Sequence, residues 1–144
     1  MKIIDTALFA GLAVAATLIA APAFAETVML KATLSATEEV PPTTSKGAGM
    51  ADVTFDTATK KASWKGSYSG LSGPVTGAHF HGPAAAGKNA GVVLPIEAKA
   101  SPFEGTATLT DAQAADLMAG SLYANLHTAA HADGEIRGQV VKAK

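Results

Sequence analysis

KASWKGSYS, Lys61–Ser69, is the stretch on which the fold reading turns. Ala62, Trp64, Gly66 and Tyr68 alternate with Lys61, Ser63, Lys65 and Ser67. Side chains point to opposite faces of a strand in turn, so a period of two at this length is a half-buried strand, not a helix. One face packs inward and the other meets water.

The same rhythm repeats in both directions. VMLKATL (Val28–Leu34) alternates, and the Pro-Pro segment EEVPPTTSKG ends it because proline has no N–H for a ladder. In GMADVTF, Ala51, Val53 and Phe55 share a face, and DTATKK reads as a turn. Val75–His81 and VVLPI flank the loop GPAAAGKNAG, and FEGTATL alternates again. TDAQAADLMAG departs from the pattern: Thr110 with Gln113 forms a capping box and Gly120 a stop, so a short helix is expected. LYANLH and EIRGQVV close the chain as strands around a turn at HADG. The expectation is an all-β fold: an antiparallel Greek-key β-sandwich or barrel of about eight strands with one short helix.

The amino-terminal segment differs from the rest of the 144 residues. Lys2 precedes an uncharged apolar run from Ala7 to Ala21, Pro22 ends it, and Ala23-Phe24-Ala25 is an A-x-A cleavage signal. Residues 1–25 are expected to be a signal peptide and 26–144 the exported domain. The run is short for a span of about 20 residues, which argues against a retained anchor. It also supplies much of the positive mean hydropathy of +0.22. Export, periplasmic or secreted, would permit disulfides, but there is no cysteine, so core packing must hold the fold and thiolate metal chemistry is excluded. A formal charge of −1 without a basic run gives no support to nucleic-acid or membrane partners.

All four histidines fall in two segments, TGAHFHGPAAAG and NLHTAAHADGEIRG. Alternation puts His79 and His81 on one face and Phe80 on the other. In LYANLH it puts His127 with Tyr123 and Asn125, opposite Leu122, Ala124 and Leu126. With Phe80 and Leu126 in the core, three imidazoles point away from it at strand ends. Two imidazoles of a His-x-His pair lie roughly 6 to 7 Å apart, a span that one metal about 2 Å from each nitrogen bridges. His127 would complete a three-nitrogen set, and His131, expected in the turn, is a candidate fourth ligand. The competing reading is polar residues that only hydrogen-bond nearby backbone.

Other chemistry is thinner. No Gly-x-Ser-x-Gly elbow presents a nucleophile. Glu38-Glu39 reads as a solvated turn. Glu135 and Arg137 read as an ion pair on the solvent face of the last strand, or as groups orienting a ligand histidine. Met29, Met50 and Met118 are scattered, and Trp64, Tyr68 and Tyr123 read as packing residues.

ATLSATEEVPP, YSGLSGPVTGAHFHGPA and NLHTAAHADGEIRGQV, in that order, closely resemble the chordin-type (CHRD) domain over residues 28 to 141. The resemblance implies a small β-sandwich found in chordin and in exported bacterial proteins. A weaker resemblance links GAHFHG and LYANLH to the copper site of Cu/Zn superoxide dismutase, which would make His79, His81 and His127 counterparts of copper ligands. No bridging histidine, zinc loop or disulfide accompanies them.

Three functions compete. The first is a periplasmic metal-binding protein, with copper favoured over zinc because Cu(II) binds a given nitrogen site more tightly. Its partner would be the ion and an unidentified periplasmic protein. The second is an interaction or structural domain without metal. The third is a copper-dependent dismutase-like oxidoreductase.

Overall fold

The computed structural model describes residues 24–144. The expected leader lies outside the described residues except for its last two. Among the described residues no helix is long and apolar enough to cross a membrane.

The strands are β1 (Thr27–Ser35), β2 (Ala48–Asp56), β3 (Lys61–Ser69), β4 (Val75–His81), β5 (Val92–Pro95), β6 (Phe103–Thr108), β7 (Tyr123–Thr128), β8 (His131–Gln139) and β9 (Val141–Lys142). One α-helix, α1 (Asp111–Met118), lies between β6 and β7. All strands join one antiparallel sheet in the order β5-β4-β7-β8-β1-β2-β3-β6, with β9 also on β1. The chain crosses repeatedly between the two halves of this order, and its last long strand lies beside its first. The sheet curls on itself: Trp64 of β3 and Phe80 of β4, from opposite halves, meet edge-on with centroids 5.1 Å apart. The expected eight strands and short helix are therefore present, with β9 as a two-residue addition.

Alternation fills the space inside the curl. Leu30, Val53 and Trp64 are cross-strand neighbours and all buried. Trp64 in turn faces Gly105, where a Cβ would lie 2.6 Å from the indole ring. Phe103 likewise faces Gly66, where a Cβ would lie 2.2 Å from its ring. Glycine in these strands marks where a large aromatic occupies the neighbouring volume. In α1 the capping box forms as expected: the Gln113 N–H donates to Thr110 Oγ1 and the Thr110 N–H donates to Gln113 Oε1. The helix buries Leu117 against the same core.

Two expectations about the second histidine segment change. The β7–β8 turn is at Ala129-Ala130, and HADG is already β8. Gly134 is needed for close approach at φ +130, because a Cβ there would lie 2.5 Å from Glu39 Oε1 and 2.6 Å from Asn125 Nδ2. Second, the outer face of β4, β7 and β8 is not open to solvent. Tyr123, Asn125, Glu135 and Arg137 are all buried.

Two loops make this cover. The 82–91 loop is anchored by Arg137, which donates from Nη2 to Lys88 O at 2.6 Å and from Nη1 to Asn89 Oδ1 at 3.0 Å. Gln139 Nε2 adds a bond to Ala84 O. The segment after β1 is held from β8 as well, with the Thr43 hydroxyl donating to Glu135 O. Glu135 and Arg137 therefore do not form the expected solvent-side ion pair. The Glu135 carboxylate instead accepts from the Ser45, Ser72 and Thr128 hydroxyls and the Ser72 amide. Glu39 is likewise buried, not in a solvated turn.

Candidate metal centre

The β4–β7 ladder builds the site. It pairs Gly77 with His127, His79 with Asn125 and His81 with Tyr123. Because alternate side chains share a face, the outer side carries His79, His81, His127, Asn125 and Tyr123 together. Phe80 and Leu126 point into the core as expected. Gly77 leaves room for the rings, since a Cβ there would lie 3.3 Å from His79 Cε1. The β7–β8 register breaks between Leu126 and Thr128. That irregularity sits at His127, where the Ala132 carbonyl meets the ring. Bulges commonly re-aim a side chain in this way.

Hydrogen bonds to main-chain carbonyls select the imidazole tautomers. His127 Nδ1 lies 2.9 Å from Ala132 O, so it carries the proton and leaves a lone pair on Nε2. His81 Nδ1 lies 3.0 Å from Ala90 O, which likewise leaves Nε2 bare. That Nε2 is buried and has no hydrogen-bond partner. His79 Nδ1 lies 3.2 Å from His127 Nε2.

One ring nitrogen from each of His79, His81 and His127 falls within 4.8 Å of the others. Two bonds of about 2.05 Å span at most about 4.1 Å. His79 Nδ1 and His127 Nε2, 3.2 Å apart, lie within that span, and a separation of 4.8 Å would have to contract by under about 1 Å. Ring rotation about side-chain torsions supplies that movement.

The electrostatics favour ligands over cations. Burial, then the neighbouring His127 and His81, hold His79 below the ordinary histidine range. Burial likewise lowers His81, opposed by its hydrogen bond to Ala90 and the nearby Asn125 amide and reinforced by His127 and Arg137. Neutral imidazole is the metal-binding form. His81 is also stacked parallel on Tyr123, with Arg137 over the tyrosine's ring at 3.4 Å from its centroid.

The three histidines expected to converge do so, although His81 is a buried residue and not a surface one. His131 is not part of that group. It opens β8 and lines a cleft of about 400 Å³ with Glu39, the Pro41-Pro42 segment and Asp133. Alternation alone puts Asn125 on the histidine face, but its importance there shows only in the ladder.

Fold and site together define an all-β domain with a three-histidine cluster on the outer face of one half of its sheet. The CHRD domain family matches residues 30–140, and the chain belongs to that family. No curated protein and no solved structure matches it. The likeness of the histidine positions to the copper site of Cu/Zn superoxide dismutase is accordingly not borne out.

Proposed function

We propose that this CHRD domain binds one divalent metal ion, copper in preference to zinc, through His79, His81 and His127 after export from the cytoplasm. The observation that carries the reading is the convergence of three imidazoles, one with a buried and unpartnered Nε2. A three-nitrogen site without thiolate suits Cu(II) and Zn(II), and copper has the higher intrinsic affinity for such donors. The apolar leader with its A-x-A signal supports export. Such a site would serve binding or delivery, and nothing in it requires catalysis.

Calorimetric titration of the purified chain with Cu(II) and Zn(II) tests the proposal. One equivalent should bind, and replacing His79 and His127 together by alanine should abolish the binding. Unchanged affinity in that double variant would remove the cluster from the account.

One observation favours a metal-free interaction domain instead. His127 is fully paired as it stands, with Nδ1 on Ala132 O and Nε2 against His79. That reading expects no change in melting temperature when metal is added.

A further inference from the structure

Asn125 sits in the middle of the histidine face. It is directly opposite His79 in the β4–β7 ladder and lies between Tyr123 and His127 on its own strand. Directly opposed residues have Cβ atoms about 4.5–5.5 Å apart. Its side chain is 97 % buried, being 3 % exposed, and its Oδ1 has no hydrogen-bond partner. The other end of the amide, Nδ2, lies near the Glu39 carboxyl at the point where Gly134 passes.

Two acceptors on this face are therefore left without donors. Asn125 and His81 share the outer face of the β4–β7 ladder, and neither Asn125 Oδ1 nor His81 Nε2 has a hydrogen-bond partner. His81 has already given its proton side to the Ala90 carbonyl. Two buried acceptors without donors are costly, because each has given up water and gained no hydrogen bond. A cation between them relieves both.

Resting on the three-histidine reading above, we infer that Asn125 Oδ1 is the fourth ligand of the metal site, oriented by Glu39. The centre is then three imidazole nitrogens and one neutral amide oxygen. Such a donor set leaves the charge of a divalent ion intact and adds a hard oxygen, suiting Cu(II) and Zn(II) over cuprous ion. Glu39 is a positioning residue: its carboxyl beside Nδ2 favours the amide orientation that turns Oδ1 toward the histidine face. A flipped amide is the competing arrangement, with Nδ2 donating to His81 and a protonated Glu39 donating to Oδ1.

The chain contains only two asparagines, Asn89 and Asn125, so selective labelling of the asparagine carboxamide carbon gives two resonances. Asn89 bonds Arg137 and Val40 O away from the cluster and serves as the internal reference. Adding one equivalent of Zn(II) to the full wild-type chain should shift the Asn125 signal and leave the Asn89 signal in place. In parallel, Asn125→Leu should weaken Cu(II) and Zn(II) binding ten- to a hundredfold at unchanged one-to-one stoichiometry. Zinc that binds without moving the Asn125 carbon would overturn the fourth ligand and leave the three histidines standing. Binding by Asn125→Leu within twofold of wild type would do the same. Failure of the wild-type chain to bind either ion would overturn both readings. If the leucine variant does not fold, the wild-type spectrum still decides.

Discussion

The Arg137 guanidinium lies 3.4 Å from the centroid of the Tyr123 ring, whose stacking partner is His81, with ring planes 4° apart and centroids 5.0 Å apart. Three side chains from β8, β7 and β4 thus form one stack beneath the 82–91 loop. The outermost carries a charge without a salt-bridge partner among the described residues. Its charge is spread over the tyrosine face and satisfied by Lys88 O and Asn89 Oδ1. The stack therefore ties loop cover to ligand orientation, because the same loop's Ala90 carbonyl fixes the His81 tautomer.

Arg137→Met should accordingly act at a distance. Methionine keeps apolar contact with Tyr123 but leaves the Lys88 carbonyl and Asn89 without their donors. The expected loss is about 2–4 kcal/mol of unfolding free energy. Faster amide exchange in the 82–91 loop should accompany it. Urea denaturation and hydrogen exchange measure the two effects, and a variant with wild-type exchange at Ala90 and Gly91 would separate the loop from Arg137.

Packing makes a second prediction in the other half of the sheet. Gly105→Ala places a methyl 2.6 Å from the Trp64 ring, which is already held by Phe80. A rigid indole cannot give way as a flexible chain end can, so overpacking should cost about 1–3 kcal/mol. The chain has a single tryptophan, so its emission reports the change directly. An unaltered spectrum with unaltered stability would show that the indole has room the structure does not give it.

The sequence discloses some of these relationships and conceals others for a physical reason. Period-two alternation tells which side chains of KASWKGSYS, GAHFH and LYANLH avoid the main core, and all three strands follow it. Alternation does not say whether the other face meets water or a second layer. Arg137 and Lys88 are 49 residues apart, so no local pattern announces that a Gly/Ala-rich loop folds over Tyr123 and His81. Polar residues on that face therefore read as solvated, and this fails for Glu39, Glu135 and Arg137. Gly134 misleads similarly: glycine after Asp133 looks like a turn, but the residue is there so that β8 can pass Glu39 and Asn125.

Metal affinity should depend on pH in one direction. The His79 and His81 pKa values lie below the ordinary 6.5, so protons compete with the ion only on the acid side of that value. Affinity should be level from pH 7 to 8 and fall steeply once the pH is below about 6.5. Competition titrations with Cu(II) at half-unit intervals would measure it. A decline that sets in well above pH 7 would indicate ligands other than these imidazoles.

Glu135 governs acid stability. Burial alone would raise its carboxyl, but the hydroxyls of Ser45, Thr128 and Ser72 and the Ser72 amide outweigh it and hold the pKa at about 2, against 4.5 ordinarily. A depressed carboxylate contributes its full stabilisation above the unfolded value and loses it as pH falls toward about 2. Glu135→Gln should therefore cost about 2–3 kcal/mol at pH 7, where charge-assisted bonds are lost. The gap to wild type should narrow between pH 4.5 and 2. Equal denaturation midpoints at pH 7 would refute this role.

Glu39 should behave in the opposite sense. Burial raises its pKa from 4.5 to about 7, although Arg137, Asn125 and the Val40 amide pull it partly back. The folded state therefore prefers the protonated acid, and this preference stabilises the fold fully below pH 4.5. It fades as pH rises through about 7, when a buried carboxylate must form with one oxygen unpartnered. Each tenfold change in proton affinity is worth about 1.4 kcal/mol, so the difference across that window is about 3 kcal/mol. Glu39→Gln cannot ionise, so it should escape the decline. Urea unfolding of both proteins from pH 5 to 8 should show wild type losing about 2–3 kcal/mol more than the variant. Parallel curves would mean that Glu39 ionises in the fold as readily as in water, and the neutral buried acid beside Asn125 would have to be given up.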